Sequence, residues 1–160
     1  MINFDLKGNI TPYEPVPCKV TEMKKYLVDL MPTSSTRIDN YVKYRKYTNE
    51  LKKVLGVKEV KQWVNGSFAT KKLNPKDIDF LTFVDYSLVQ ALGDKLDNFR
   101  PPKCWDVYGV DAYLLEVHPE GSDFHKRFTQ SDIAYWYDQF NHTRVNRVGK
   151  KLPKGFLEII

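Results

Sequence analysis

Two aspartates, Asp77 and Asp79, flank a single isoleucine at the start of an otherwise apolar segment. Residues two apart in an extended strand point to the same face with Cα atoms roughly 6.5–7 Å apart, so both carboxylates would project together. Two carboxylates on one face repel, and Mg²⁺ can bind through one or two carboxylates together with substrate phosphates. The pair therefore predicts a site for Mg²⁺ (or Mn²⁺), although a lone Asp-x-Asp is also common at solvent-exposed strand starts and turns.

A Gly-Ser pair, Gly66 and Ser67, ends the preceding apolar segment, and nine residues separate it from Asp77. Glycine lets the backbone approach a ligand closely, and exposed N–H groups at a helix start suit a phosphate. Taken alone, the pair fits an ordinary strand-to-helix turn with a serine cap better than a phosphate site. Its position just before the two aspartates favours the phosphate site.

A third carboxylate lies on the next apolar segment, where Asp111 interrupts the residues "VYGVDAYLLEV". Its neighbours Val110 and Ala112 are expected to be buried, and an acid in such a strand is costly unless it is paired or binds a metal. Asp106 is the alternative, but it is closer to the "PPKC" loop and is expected to face water. We therefore expect Asp111 to be the third acid of the site.

These residues need a sheet to bring them together, and the hydrophobic pattern predicts one. Strands are expected at residues 60–65, 77–84, 105–117 and 155–160, and helices at 21–31, 38–55, 89–99 and 131–140, with residues 1–20 irregular because of three prolines. The helix ending before Gly56 has the clearest pattern. The order α-α-β-β-α-β-α-β predicts an α+β fold with a short mixed sheet flanked by helices, in one domain covering 1–160.

Composition limits the classes of protein that fit. The chain has 160 residues, a net charge of +5 and 42% hydrophobic residues, which is typical of a globular domain. The charge favours anionic partners such as nucleotides or RNA as much as it favours a plain basic surface. Cys18 and Cys104 show no zinc or disulfide spacing, and neither a signal peptide nor a membrane-spanning segment is evident. We therefore expect a cytoplasmic protein without membrane contacts.

The linked motifs "VNGSFATKKLNPKDIDF" and "VDAYLL" resemble the polymerase-beta-like nucleotidyltransferase superfamily, and especially its minimal members. The similarity covers a core of about residues 58–117. The segments "FDLKGNITPYE", "YWYDQF" and "KGFLEI" also resemble a group of short, largely uncharacterised bacterial and phage proteins built on that core. This second resemblance covers most of the chain but brings no known substrate.

The resemblance implies a nucleotidyltransferase fold and a nucleotide-binding, metal-dependent enzyme. Gly66 and Ser67 would contact the triphosphate of a nucleoside triphosphate such as ATP, while Asp77 and Asp79 hold Mg²⁺ and Asp111 completes a second metal site. A nucleoside monophosphate would be transferred to a protein or RNA hydroxyl, and small bacterial relatives often act in toxin–antitoxin or phage-defence pairs. The alternatives are a non-catalytic nucleotide- or partner-binding protein and, more weakly supported, a basic RNA-binding module.

Cationic side chains could assist at the phosphates. Lys71 and Lys72 follow the Gly-Ser pair and would neutralise phosphate charge, unless they lie in a solvated turn. The segment "TRVNRVGKKLPKG" holds a second group of cations, which would bind the triphosphate, approach the acceptor or form a solubilising surface loop. The group consists of Arg144, Arg147, Lys150, Lys151 and Lys154.

Overall fold

A computed structural model describes residues 1–145 and 147–160 of the chain. A two-stranded antiparallel pair, β1 (Asn3–Phe4) and β2 (Ile10–Thr11), precedes the main sheet. The described part of the chain contributes five strands to the main sheet: β3 (Pro15–Cys18), β4 (Gln62–Asn65), β5 (Asp79–Asp85), β6 (Asp111–Val117) and β7 (Phe156–Ile159). Their order across the sheet is β3-β7-β4-β5-β6.

The main sheet is mixed, as the sequence predicted. The β4 strand is antiparallel to both β5 and β7, whereas β5 pairs with β6, and β3 with β7, in parallel. The parallel β5–β6 pair requires a crossover, which the helical segment between Asp85 and Asp111 provides. The class is therefore α+β, with an open mixed sheet and helices.

Within the described residues, five α-helices flank the sheet: α1 (Val20–Lys24), α2 (Arg37–Leu55), α3 (Tyr86–Leu92), α4 (Lys103–Tyr108) and α5 (Gln130–Phe140). A π-helical turn at Lys25–Asp29 continues α1, and another at His125–Thr129 leads into α5. A 3₁₀ segment at Gly93–Phe99 follows α3. No helix in the described ranges 1–145 and 147–160 has an apolar stretch long enough to cross a bilayer.

The longest helix, α2, begins and ends as its sequence predicts. It ends at Gly56, whose φ of +70° allows the left-handed conformation that closes a helix without steric cost. Its buried face packs on the sheet, where the rings of Tyr44 and Tyr47 meet Phe80 edge-on at centroid distances of 5.1 and 5.0 Å. Each such pair contributes about 0.5–1.5 kcal/mol beyond the area it buries.

The opposite face of the sheet carries a second, smaller core beneath α5. It consists of the buried residues Trp63, Leu81, Leu115, Phe140 and Phe156. Strand β5 is therefore covered on both faces, with Phe80 buried on one side and Leu81 on the other. A strand buried on both faces fixes the position of any polar residue at its ends, which is where Asp79 lies.

Three expectations about the elements were wrong in detail. Residues 103–108 form α4 rather than the start of a strand, so β6 begins only at Asp111, and Asp106 is exposed on that helix. Residues 15–18, expected to be irregular, form the edge strand β3, a place where prolines are tolerated because one side of the strand needs no partner. Strand β5 starts at Asp79, so Asp77 lies in the segment approaching it.

Candidate functional site

Three polar residues form one row across three neighbouring strands of the main sheet, β4, β5 and β6. Asn65 on β4 is the direct cross-strand partner of Asp79 on β5, and Asp79 is in turn the partner of Asp111 on β6. Direct partners in neighbouring strands project to the same face. The row therefore places an amide and two carboxyl groups side by side on the face that α5 covers, at the end of β4 and the start of β5 and β6.

Gly66 follows the row directly and leaves room for the Asp79 carboxylate. A Cβ atom at position 66 would overlap Asp79 Oδ2, and Gly66 also adopts a φ of +69°. Both the close approach and the left-handed backbone require glycine here. The Gly-Ser pair and the Asp-x-Asp pair predicted from sequence are thus in contact in the fold.

The electrostatics of the row centre on Asp79. Burial, the nearby negative charges of Asp77 and Asp111, and a hydrogen bond with Asp111 raise the pKa of Asp79 from 3.8 to about 7. The positive charge of Lys154 acts in the opposite direction but does not cancel these effects. Three carboxyl groups this close cannot all ionise at little cost, so the arrangement favours either a shared proton or a bound cation.

Two oxygens of the row have no hydrogen-bond partner. Asn65 Oδ1 and Asp111 Oδ1 are both buried and unpaired within the described residues, and only 5% of Asn65 is exposed. A buried polar atom left without a partner costs roughly 1–3 kcal/mol, which a ligand that pairs with it would recover. The unpaired atoms are carboxylate and amide oxygens, the donor types that Mg²⁺ and Ca²⁺ prefer.

The residues present fit a Mg²⁺ ion that shares its coordination with a substrate. Among residues 1–145 and 147–160, no three His, Cys, Asp or Glu side chains converge closely enough to hold a metal by themselves. Mg²⁺, however, typically takes only one or two carboxylates from the protein and fills its other positions with phosphate oxygens and water. Asp77 and Asp79 would be those carboxylates, with the oxygens of Asn65 and Asp111 beside them.

The loop between Gly66 and Asp79 is held in place by the start of α2. The buried guanidinium of Arg37 donates to the carbonyl oxygens of Phe68 at 2.8 Å and of Thr70 and Lys72 at 2.6 Å each. A fourth bond, to the Leu27 carbonyl at 2.9 Å, ties the same group to the first helical segment. Burial lowers the pKa of Arg37 to about 10, which leaves it charged at neutral pH. Arg37 thus orders the turn that carries Gly66 and Ser67.

A cleft of about 630 Å³ opens above Asp79. One wall consists of the Gly-Ser turn and the acids, and the other is the segment between α5 and β7. The cleft is lined by Asn9, Asn65, Gly66, Ser67, Thr70, Lys72, Lys76, Asp77, Asp79, Gln139, Phe140, His142, Thr143, Arg144, Val145, Lys151 and Lys154. Among these described residues, five lysine or arginine side chains face two carboxylates, so the cleft suits an anionic ligand.

The structure brings most of the predicted site residues to this cleft. Gly66, Ser67, Lys72, Asp77 and Asp79 line it. Asp111 lies beside Asp79 in the register of the sheet but is not on the cleft surface. Lys71 points elsewhere, because its ammonium lies 5.4 Å from the centre of the Phe4 ring.

The sequence did not indicate one residue of the cleft, Asn65, and did not single out another, Lys154. Asn65 was missed, because an asparagine before Gly-Ser is the ordinary composition of a turn. Lys154 was grouped with four other cations of its segment, although only 7% of it is exposed. The signal for Lys154 was its place two residues before the last apolar strand, which puts it on the same face as Phe156.

Comparison with known proteins yields one match. The model of DUF6932, described as a family of unknown function, matches residues 2–160. No curated protein and no solved structure matches the chain.

Proposed function

The chain belongs to DUF6932, a family of unknown function, and we propose that it is a metal-dependent nucleotidyltransferase with the nucleotidyltransferase fold. One observation carries the proposal: the Gly66–Ser67 turn packs directly against Asp79, with Asp77 and Asp111 close to that carboxylate, at the base of a cationic cleft. A phosphate-binding turn beside clustered carboxylates is what transfer of a nucleotidyl group requires.

The proposed reaction assigns a task to each side chain. Backbone N–H groups at Gly66 and Ser67, with Lys72 nearby, bind the triphosphate of a nucleoside triphosphate. Asp77 and Asp79 hold Mg²⁺ or Mn²⁺, which supplies positive charge at the phosphates when it is bound. The Asp79 carboxylate is available for this only when deprotonated, and a cation beside it would lower its raised pKa.

Asp111 is the candidate proton acceptor. An acceptor hydroxyl would attack the α-phosphorus, its proton would pass to the Asp111 carboxylate, and the bond to the bridging oxygen of the β-phosphate would break as pyrophosphate leaves. The unpaired Oδ1 of Asp111 is an oxygen that can hold such a proton, which would reach it by way of water or the neighbouring Asp79, because Asp111 itself is not on the cleft surface. Because the protein does little covalent chemistry in such a transfer, most of its contribution is positioning and charge neutralisation.

The acceptor in this proposal is a hydroxyl group of a protein or an RNA, within a toxin–antitoxin or phage-defence pair in the cytoplasm. The cleft supports a bound nucleotide, whereas the choice of acceptor rests on the sequence resemblance alone. A protein that binds nucleotide without transferring it is the second outcome to be distinguished. The cationic lining of the cleft would serve both functions.

The test is transfer of label from radioactive nucleoside triphosphates. Wild-type protein and the Asp77→Ala/Asp79→Ala double variant are incubated with each labelled triphosphate, Mg²⁺ or Mn²⁺ and a cell lysate. We expect metal-dependent labelling of macromolecules by the wild type and none by the variant. Equal labelling by both would refute the assigned site. Binding of nucleotide without any labelling would instead identify the non-catalytic function.

A further inference from the structure

Lys154 is a buried lysine at the wall of the cleft. Only 7% of it is exposed, and its ammonium makes a long contact of 3.5 Å with the carbonyl oxygen of Gly66. Among the described residues, no carboxylate lies within 4.0 Å of this ammonium. An ammonium group has three N–H donors, so a single long bond leaves most of its hydrogen-bonding capacity unused.

The position of Lys154 is fixed by backbone hydrogen bonds on both sides. Its own N–H donates to the Asn141 carbonyl at 2.9 Å, and the N–H of Gly155 donates to the Ile10 carbonyl at 2.8 Å. A Cβ atom at position 155 would overlap the carbonyl oxygen of Pro12, so the chain is tightly packed here. The lysine is therefore held in the cleft by the fold and does not merely rest there as a flexible surface side chain.

A buried ammonium without an ion pair destabilises a protein unless a ligand supplies the missing charge. The Asp79 carboxylate is near enough to interact electrostatically with Lys154, but it does not form an ion pair with it. The cleft offers four further cations: Lys72, Lys76, Arg144 and Lys151. A ligand with several negative charges at neighbouring atoms matches this set better than a single carboxylate does.

We propose that Lys154 binds a non-transferred phosphate of the nucleotide at the Gly66–Ser67 turn. This inference rests on the proposed function and extends it, because it assigns the polyphosphate chain of a nucleoside triphosphate to the part of the cleft where Lys154 meets that turn. The contact with the Gly66 carbonyl places the ammonium at the turn itself, where those phosphates would lie.

The experiment compares Lys154→Met with Lys154→Arg and with a control, Lys126→Met. Methionine has a similar length without the charge, arginine keeps the charge, and Lys126 is exposed on the turn beyond the opposite end of β6. Calorimetric titrations with Mg²⁺ and each nucleoside triphosphate, and with Mg²⁺ and inorganic pyrophosphate, measure binding. Thermal unfolding without ligand measures whether each variant folds.

We expect Lys154→Met to weaken binding of triphosphate and pyrophosphate about tenfold or more, since a hydrogen bond to a charged group contributes at least that factor. The arginine variant should retain most of the affinity, and Lys126→Met all of it. Without ligand, Lys154→Met should melt at or above the wild-type temperature, because a buried unpaired charge has been removed.

Three results would overturn the inference. If the wild type binds and Lys154→Met binds equally well, Lys154 does not contact the phosphates, while the proposed function stands. If Lys154→Met melts well below the wild type without ligand, the lysine supports the fold rather than the ligand. If the wild type binds neither the triphosphates nor pyrophosphate, the proposed function fails and this assignment fails with it.

Discussion

Asn65 and Asp79 are direct cross-strand partners, and the asparagine's buried side-chain oxygen has no hydrogen-bond partner among the residues that the structure describes. Three residues earlier on the same strand, Gln62 carries a second buried amide that is fully used, with bonds to Tyr44 at 2.6 Å and Thr82 at 2.9 Å. One strand thus presents one satisfied amide beneath α2 and one unsatisfied amide at the cleft. The first amide stabilises the fold, whereas the oxygen of the second is expected to bind a ligand.

Substitution of the two amides by leucine should separate these roles. Asn65→Leu should leave the free energy of unfolding unchanged or raise it by up to about 1 kcal/mol, because it removes an unpaired buried oxygen. Gln62→Leu should lower it by roughly 1–3 kcal/mol, because it leaves the Tyr44 hydroxyl and the Thr82 hydroxyl without their partner. Urea unfolding at neutral pH measures both. A larger loss of unfolding free energy for Asn65→Leu than for Gln62→Leu would contradict these separate roles of the two amides.

Gly66→Ala should destabilise the protein more than an alanine at Gly56. Both glycines have positive φ, at +69° and +70°, but only the Cβ at position 66 would collide, with Asp79 Oδ2, while position 56 faces open space. For Gly56→Ala we expect the free energy of unfolding to fall by about 1 kcal/mol, from backbone strain alone. For Gly66→Ala the fall should be larger by roughly another 1–3 kcal/mol. Denaturant unfolding is the measurement, and equal losses would show that Asp79 moves aside freely.

The contribution of Asp79 to the stability of the metal-free protein should fall as the pH rises from about 4 to about 7. The folded state keeps a proton on Asp79, whose pKa is raised from 3.8 to about 7, after the unfolded chain has lost it. The Asp79→Asn variant carries no such proton. Its free energy of unfolding should therefore rise relative to that of the wild type, by an amount on the order of 2–4 kcal/mol by pH 8. Unfolding in EDTA across this range provides the comparison.

Asp85→Asn, at the other end of β5, is the control for that pH series. Hydrogen bonds from the Ser87 hydroxyl and the Ser87 N–H lower the pKa of Asp85, so its contribution to stability is present above its ordinary pKa and is lost on acidification. Asp79→Asn should therefore diverge from the wild type as the pH rises from about 4 to about 7, whereas Asp85→Asn should differ from it by a constant amount over that range and approach it only below the ordinary pKa of 3.8. Parallel curves for Asp79→Asn and wild type would contradict the proposed proton.

Arg37→Lys tests the ordering of the turn that follows Gly66 and Ser67. Lysine keeps the positive charge but cannot reach the four carbonyl oxygens that the guanidinium binds, from Leu27 to Lys72. We expect a loss of about 2–4 kcal/mol in the free energy of unfolding and faster amide hydrogen exchange in residues 67–72. The exposed Arg127→Lys is the matched control and should change neither quantity. Unchanged exchange in Arg37→Lys would show that the turn is ordered by other contacts.

The parts of the fold with strong local signals could be predicted from sequence. Strand β5 and helix α2 follow from alternation and helical spacing, and the end of α2 from Gly56. Residues 105–108 were assigned to the start of a strand because Trp105, Val107 and Tyr108 are typical of strands, but they belong to a short helix between a Pro-Pro turn and Gly109. Six residues are too few for a helical period to be read.

The long-range geometry could not be read from sequence at all. Nothing local indicates that Asn65, Asp79 and Asp111 share one row, because register depends on which strands pair and where. The burial of Lys154 likewise depends on the packing of residues 10–12 against Gly155. The sequence motifs placed the three acids in one candidate site, whereas the position of the asparagine and the burial of the lysine beside them are evident only in the fold.

Because β7 lies between β3 and β4, the main sheet can be completed only after β7 has been synthesised. Gly66 leaves the ribosome 88 residues ahead of Lys154, and β3, made earlier still, has β7 as its partner in the main sheet. The nascent chain therefore carries the acids and the Gly66–Ser67 turn long before the second wall of the cleft exists. Only a chain that includes β7 can form both walls, so products truncated before β7 should lack the cleft.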